Sequence, residues 1–231
     1  PKKSGGRRLI LNLKPLNRWL LHKHFKMDHL GLILKDLGPG LLAVSLDLTD
    51  AYLHIPLRPA HRKFMRLAVG DHHFQFVSRC FGLAPAPRVF TKVMVEIGAY
   101  MRRQGARMFQ YLDDWLLISA DKEELRRQRN DLIRLTKRLG LLINVSKSDL
   151  VPSQEVVYLG AQLFLHSGEV GLSAERKVKI QLLGRELMEM SECAVRVFLV
   201  FLGTLASCIL SNCICLRGGD QPAGMWRSRF L

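Results

Sequence analysis

An α+β fold with helices packed on a sheet is what this sequence predicts, and three observations carry the prediction. Short apolar runs rich in β-branched and aromatic residues recur along it, and turn residues join two of them. Longer stretches, with apolar residues every three or four positions, read as amphipathic helices. The order is strands, a helix, a hairpin, a helix, a strand, then helices, which is not the regular alternation of βαβ units.

Taken in order, residues 1–8 (PKKSGGRR) are a basic, glycine-containing stretch, and Leu9 to Leu13 reads as a short strand. Val44 to Leu48 is a second apolar run, followed by Thr49-Asp50-Ala51-Tyr52. Phe64 to Val69 and Phe74 to Ser78 read as strands, and Gly70-Asp71 between them supplies hairpin chemistry. Pro87 opens a helix, where its missing N–H is harmless. Phe90, Val93, Met94, Ile97 and Met101 share one face of that helix. Met108 to Tyr111 and Trp115 to Ile118 are two more apolar runs, separated by Leu112-Asp113-Asp114. Asp121 to Leu139 forms a second helix with Leu125, Leu132 and Leu139 as its buried stripe, and Gly140 stops it. Val156 to Phe164 is strand-like, and the chain from about Ser173 reads mostly helical.

With 231 residues the chain can bury a sizeable core, as one domain or as tightly packed subdomains, and no repeat or linker divides it. A 48% hydrophobic share excludes wholesale disorder. Thirty-five Lys and Arg against 20 Asp and Glu leave a net charge of +15, which favours a polyanionic partner. Nucleic acid comes first and an anionic membrane second; charge alone does not separate them. The five cysteines, Cys80, Cys193, Cys208, Cys213 and Cys215, contain no Cys-x-x-Cys pair, so reduced thiols are expected instead of a zinc site. His22 with His24 and His72 with His73 lack the helical spacing of a zinc pair and read as surface or phosphate-facing residues. No signal peptide is visible, and an intracellular protein of the cytoplasm or nucleus, neither secreted nor membrane-embedded, is expected. Val197 to Leu210 is short against the roughly 20 residues of a membrane span and reads as a buried helix. Because the first residue is Pro1, not Met, a piece of a longer chain is expected.

Chemistry concentrates on three carboxylates. Asp113-Asp114 lies between two apolar runs, where paired like charges are costly unless a cation or solvent compensates them. Alone, that dipeptide reads as an ordinary polar turn. Asp47 shifts the balance, because it interrupts the apolar strand Val44-Ser45-Leu46-Asp47-Leu48. If strand and hairpin meet at one sheet edge, three carboxylates there would suit hard divalent cations. Two such ions about 3.5–4 Å apart support in-line phosphoryl transfer.

At these residues the sequence resembles reverse transcriptases. Tyr111-Leu-Asp-Asp114 resembles their YxDD motif, and Ser45 to Leu57 (SLDLTDAYLHIPL) the strand with the first catalytic Asp. Phe81 to Phe90 (FGLAPAPRVF) resembles the template- and nucleotide-contacting loop and helix. Arg8 to Asn17 (RLILNLKPLN) resembles a fingers segment. Leu139 to Asn144 with Lys147-Ser148 resembles the next motif, and Val157-Tyr-Leu-Gly160 the primer grip. Six motifs fall in family order over about residues 1–165.

The resemblance implies a right-hand polymerase fold. Fingers would take residues 1–43 and 58–88, the palm 44–57 and 89–165, and a truncated thumb or connection 166–231. It implies RNA-directed DNA polymerase activity on template–primer and dNTPs, with two Mg²⁺ ions for which Mn²⁺ can substitute. Asp47, Asp113 and Asp114, with the backbone of Leu48, would hold the metals. Lys147 would give a proton to the leaving pyrophosphate. Lys3, Arg8, Asp50, Ala51, Tyr52, Phe81 and Gly82 would form the nucleotide site. In it Tyr52 excludes a 2′-hydroxyl, Gly82 admits close backbone approach, and Arg8 and Lys3 contact the triphosphate. Tyr158, Leu159 and Gly160 would grip the primer.

Departures from the retroviral pattern are Phe81 in place of Gln and Asn12 in place of Asp. Leu-Thr-Asp-Ala-Tyr together with Tyr-Leu-Asp-Asp-Trp-Leu looks most like DIRS-type retrotransposons. The RNase H domain usual in the family, and a recombinase, would lie in missing parts of the parent polyprotein; residues 212–231 match nothing in the family. Two rivals stay open: a catalytically dead, nucleic-acid-binding retroelement fragment, and a basic membrane-surface protein using residues 121–139 as an amphipathic helix.

Overall fold

A computed structural model describes residues 9–21, 23–28, 30–190 and 195–206. Lys3, Arg8, His22 and every cysteine except Cys80 lie outside the described residues. The elements are α1 (Lys14–Asn17), α2 (Leu30–Asp36), β1 (Leu42–Asp47), a 3-10 turn (Ala51–His54), α3 (Pro59–Arg62), β2 (Arg66–Val69) and β3 (His72–Gln75). They continue with α4 (Ala86–Arg103), β4 (Arg107–Tyr111), β5 (Asp114–Ser119), α5 (Lys122–Arg138) and a second 3-10 turn (Val145–Lys147). Last come β6 (Glu155–Tyr158), β7 (Ala161–Phe164), β8 (Glu169–Leu172), α6 (Ala174–Glu189) and α7 (Val195–Ala206).

The central sheet has the antiparallel order β1-β5-β4. Its strands read as continuous apolar runs because both faces are covered. Val44, Leu46, Met108, Trp115 and Leu117 point one way and pack with Phe90, Met94, Ile97 and Met101 of α4 and Leu125 and Leu132 of α5. Ala43, Phe109, Leu116 and Ile118 alternate to the other face, against Ile33 and Leu34 of α2 and the sheet β6-β7-β8. This period of two divides each strand's side chains between two cores. A third cluster, with Leu13, Leu57, Met65, Cys80 and Leu83, joins α1 to the β2–β3 region.

Local chemistry sets the boundaries. Asp121 caps α5 by accepting the N–H groups of Glu123 (2.7 Å) and Glu124 (3.1 Å). Gly140, at φ +75°, ends that helix. Pro87 sits in the first turn of α4, as expected.

Several expectations need correction. Leu9 to Leu13 is not a strand. It makes an isolated bridge from Ile10 to Phe81, and Lys14-Pro15 then opens α1. Val93 (43% exposed) and Leu139 (55%) lie off the buried stripes assigned to them. Val156 to Phe164 is a hairpin, not one strand, because Leu159 (φ 49°) and Gly160 (φ 77°) reverse the chain. The β2–β3 pairing is offset from the apolar runs: Phe64 and Met65 precede β2 in the turn after α3, while β3 begins at His72 and leaves out Phe76 to Ser78. Strand β8 was not anticipated from Glu169-Val-Gly-Leu172. The expected buried helix forms as α7, but among its described residues none is buried.

Candidate active site

Strand pairing brings the three carboxylates to one edge of the central sheet. Asp47, the last residue of β1, is the cross-strand partner of Asp114, the first residue of β5. Tyr111 and Asp114 close the β4–β5 hairpin, so Leu112-Asp113 is its two-residue turn. Leu112 takes φ 52°, a left-handed conformation that disfavours an L side chain by about 1–2 kcal/mol. The turn is held in compensation: Trp115 Nε1 donates to the Leu112 carbonyl at 2.9 Å, and Leu48 N–H donates to the Asp113 carbonyl at 2.9 Å. Leu48 is buried at the same edge.

The electrostatics follow from that crowding. Burial first, then the charges of Asp113 and Asp47, push the Asp114 carboxyl up to about 7, while Lys147 pulls it the other way. Among the described residues no group of three or more His, Cys, Asp or Glu closes on a metal-sized point as the side chains stand. The donor set nonetheless fits hard divalent ions: it is all oxygen, and its mutual repulsion is what a cation would relieve.

Lys147 reaches this edge because its segment is laced to β1. Asn144 N–H donates to the Asp47 carbonyl at 2.8 Å, and Asp47 N–H donates to Ser148 Oγ at 3.0 Å. Ser148 Oγ in turn donates to the Asn144 carbonyl at 2.7 Å.

Of the residues read as a nucleotide site, Asp50, Ala51, Tyr52, Phe81 and Gly82 are described, and Ala51 packs in the same core cluster as Leu48. Asp50 takes a left-handed conformation (φ 49°) and leads the 3-10 turn that buries Ala51. The Tyr52 ring lies 5.1 Å from Phe81 and 5.8 Å, edge-on, from Phe90. Gly82 has φ +100°, and a Cβ there would collide with the Leu11 carbonyl oxygen. The close approach that this glycine permits is therefore to the chain's own backbone. Asn17 locks the loop by donating to the Gly82 carbonyl (2.8 Å) and accepting the Ala84 N–H (2.9 Å).

Tyr158, Leu159 and Gly160 form the end of the β6–β7 hairpin. Tyr158 is buried, and its hydroxyl donates to the Asp114 backbone carbonyl at 2.9 Å. Burial and the negative charges of Asp114 and Asp28 raise the hydroxyl well above the usual phenol range, so it stays a donor. A Cβ on Gly160 would run into the Arg176 guanidinium.

Three contributors escaped the sequence reading. Asn17 and Ser148 stood inside matched segments but were given no role. Asp28, which accepts the Gln110 N–H at 3.1 Å, lies in an irregular stretch without any local signal.

A family model described as reverse transcriptase (RNA-dependent DNA polymerase) matches residues 1–163. The chain is 26% identical over 176 residues to the genome polyprotein of Petunia vein clearing virus, covering 74% of this chain and 8% of the polyprotein. It is 28% identical over 125 residues to Protein P of Duck hepatitis B virus, covering 54% of this chain and 16% of Protein P. The chain thus spans only a small part of these relatives. Among solved structures it is similar to the foamy viral protease-reverse transcriptase in complex with double-stranded DNA. That match has a TM-score of 0.74 at 19% identity, covering 89% of this chain and 34% of the other. The same viral protein in complex with an RNA/DNA hybrid matches with a TM-score of 0.70 at 19% identity, covering 84% and 25%. The α+β polymerase fold is the shared feature. Among the described residues no helix is long and apolar enough to cross a membrane.

Proposed function

Because the chain belongs to the reverse transcriptase (RNA-dependent DNA polymerase) family, we propose that it carries out template-directed DNA synthesis from dNTPs within a longer retroelement polyprotein. One observation carries the reading: Asp47 pairs with Asp114 across the β1–β5 ladder, with Asp113 in the adjoining turn. In the reaction the primer 3′-hydroxyl gives up its proton to solvent and its oxygen attacks the α-phosphorus of a dNTP. A new phosphodiester P–O bond forms, the bond to the β-phosphate breaks, and pyrophosphate leaves.

In this reading Asp47, Asp113 and Asp114, with the Leu48 carbonyl, hold two Mg²⁺ ions, or Mn²⁺ in their place. Bound there, the ions would lower the pKa of the primer hydroxyl and offset charge on the leaving oxygen. The chain's own groups do the rest. Lys147, beside Asp114, gives the pyrophosphate a proton. Asp50 and Ala51 hold the triphosphate through their backbone, and Lys3 and Arg8 pair with its charge. The Tyr52 ring, fixed between Phe81 and Phe90, blocks a ribose 2′-hydroxyl. Gly82 keeps its loop against the Leu11 carbonyl, which holds Phe81 beside Tyr52.

Fingers (1–43, 58–88), palm (44–57, 89–165) and partial thumb (166–231) are the corresponding subdomains. The +15 charge suits an RNA or DNA template–primer, the kind of ligand bound by the foamy viral neighbours. The partners are those nucleic acids and dNTPs inside a cell. The motif wording around Tyr52 and Trp115 favours a DIRS-type element.

Primer extension on poly(rA)/oligo(dT) with Mg²⁺ or Mn²⁺ tests this, comparing the chain with Asp113→Asn. Extension by the chain that drops by about 10³-fold in the variant supports the reading, since removing a preorganised electrostatic group removes rate on that scale. No extension with intact, salt-sensitive template binding leaves a nucleic-acid-binding relic instead. No binding at all removes nucleic acid as the reason for the charge.

A further inference from the structure

His54 has no part in the site as set out so far, yet it joins two of its pieces. It ends the 3-10 turn that carries Ala51 and Tyr52. One ring nitrogen, Nδ1, lies 3.2 Å from the Ala51 carbonyl oxygen. The other, Nε2, accepts the backbone N–H of Leu142 at 3.1 Å, a partner 88 residues away. These contacts select one form of the ring. A backbone N–H can only donate, so Nε2 must offer its lone pair to Leu142. A carbonyl can only accept, so the single ring proton must sit on Nδ1 and face Ala51. The neutral Nδ1–H tautomer satisfies both bonds, and neither the other tautomer nor the imidazolium does.

Leu142 is tied from its other side too, since Thr49 N–H donates to its carbonyl at 2.7 Å. The chain then runs antiparallel to the end of β1, with Ile143 bridging Leu48 and Asn144 bonded to Asp47, before it reaches Lys147. The Lys147 end therefore has fastenings of its own. The Tyr52 turn is fastened to the Leu142 segment by His54 and by the Thr49–Leu142 bond, and its far end is tied elsewhere, where the Ile55 carbonyl accepts the Arg79 N–H at 2.8 Å.

We propose that His54, in its Nδ1–H tautomer, is a positioning residue that fixes the Tyr52 turn against Leu142 and so sets nucleotide affinity and sugar discrimination. The proposal rests on the polymerase reading given above for its kinetic consequence, but not for the clamp itself. His54→Leu removes both bonds while keeping an apolar side chain of similar reach. His54→Gln keeps an acceptor long enough to meet the Leu142 N–H. Single-nucleotide incorporation should show the KM for dNTP rising about tenfold in His54→Leu, the dNTP-over-rNTP preference falling by a similar factor, and kcat changing less than twofold. His54→Gln should recover most of both losses. Wild-type KM and sugar preference in a folded His54→Leu protein overturn the proposal, as does a His54→Gln variant no better than His54→Leu.

Amide hydrogen exchange and imidazole ¹⁵N spectra separate this failure from failure of the polymerase reading. The clamp predicts a protected Leu142 amide in the parent and in His54→Gln, a fast one in His54→Leu, and an unprotonated Nε2 in the parent. If the chain incorporates no nucleotide but these signals hold, the clamp stands and the polymerase reading falls. If Leu142 exchanges freely in the parent, or Nε2 carries the proton, the clamp is wrong whatever the activity.

Discussion

The sheet edge bearing the carboxylates and the C-terminal helix pair solve opposite problems with similar sequence. Both are rich in Leu, Val and Phe. In the central sheet those residues are covered on both faces, and Trp115, Leu116 and Leu117 are fully buried. That packing lets a costly feature persist at the rim, where two strand ends and a turn hold three acids in one place. In α7 the same residue types stay open, with Val195 73%, Phe198 49% and Leu199 59% exposed, and α7 meets α6 where Phe201 nears Gly184. Apolar composition states that a segment needs a partner; pairing within the described residues decides whether it has one. The central-sheet residues find partners in α2, α4, α5 and the sheet β6-β7-β8, whereas among the described residues α6 and α7 bury no side chain.

The sharpest way to break that contrast is to cut equal side chains from the two regions. Phe90→Ala should lower unfolding free energy in urea by about 3–5 kcal/mol, because a fully buried aromatic leaves a cavity in a packed core. Phe198→Ala, half open to solvent, should change it by no more than about 0.5–1 kcal/mol. Equal losses would mean that α7 is covered in solution and that the two regions do not differ in kind.

A second test reads the stress held at the sheet edge. Asp114 titrates at about 7 in the fold, against about 3.9 in an unfolded chain. Between those values the native state holds a proton that the unfolded state has released. Stability is therefore fully present below about 4 and is lost as pH rises through about 7. Asn does not titrate, so in metal-free buffer Asp114→Asn should gain stability over the parent as pH rises across that window. The ceiling is about 4 kcal/mol at about 1.4 kcal/mol for each unit. Thermal melts at pH 4 and pH 8 measure it. Added Mg²⁺ should shrink the gap by stabilising the parent more. A gap that is flat with pH would mean that Asp114 is not crowded.

Much of this contrast was legible in the sequence, and the illegible part has a common physical cause. The apolar runs around Asp47 and Asp113 marked buried strands because those strands are covered on both faces. Helix α5 was legible from its start at Asp121 to its stop at Gly140, since Asp121, Leu125, Leu132 and Gly140 act within one continuous segment. Partners far apart in the chain were not legible. The division of Val156 to Phe164 into a hairpin depends on Leu159 adopting a positive φ, which a leucine does not advertise. Asp28 reaches Gln110 across 82 residues. Gly82 was legible as a close-approach glycine, but not that the approaching group is Leu11. The exposure of α7 was missed for the reason that separates the two regions: hydrophobicity shows demand for burial and not its supply.

The smallest effect bears on how the sheet edge is held from behind. Tyr158 was read as a residue that touches primer, yet its ring is buried and its hydroxyl meets the Asp114 carbonyl. Tyr158→Phe keeps the ring and removes one hydrogen bond, so it should reduce stability by about 1 kcal/mol. Its kinetic signature separates the two roles. If the hydroxyl braces the turn bearing Asp113 and Asp114, kcat should fall a few-fold, while the Kd for primer–template, measured by fluorescence anisotropy, stays within about twofold, since a phosphate-dominated interface is unchanged. If Tyr158 instead touches primer, Kd should weaken and kcat hold. The first outcome would make the β6–β7 hairpin a brace for the acids, with any nucleic-acid contact left to the half-buried Leu159-Gly160 turn.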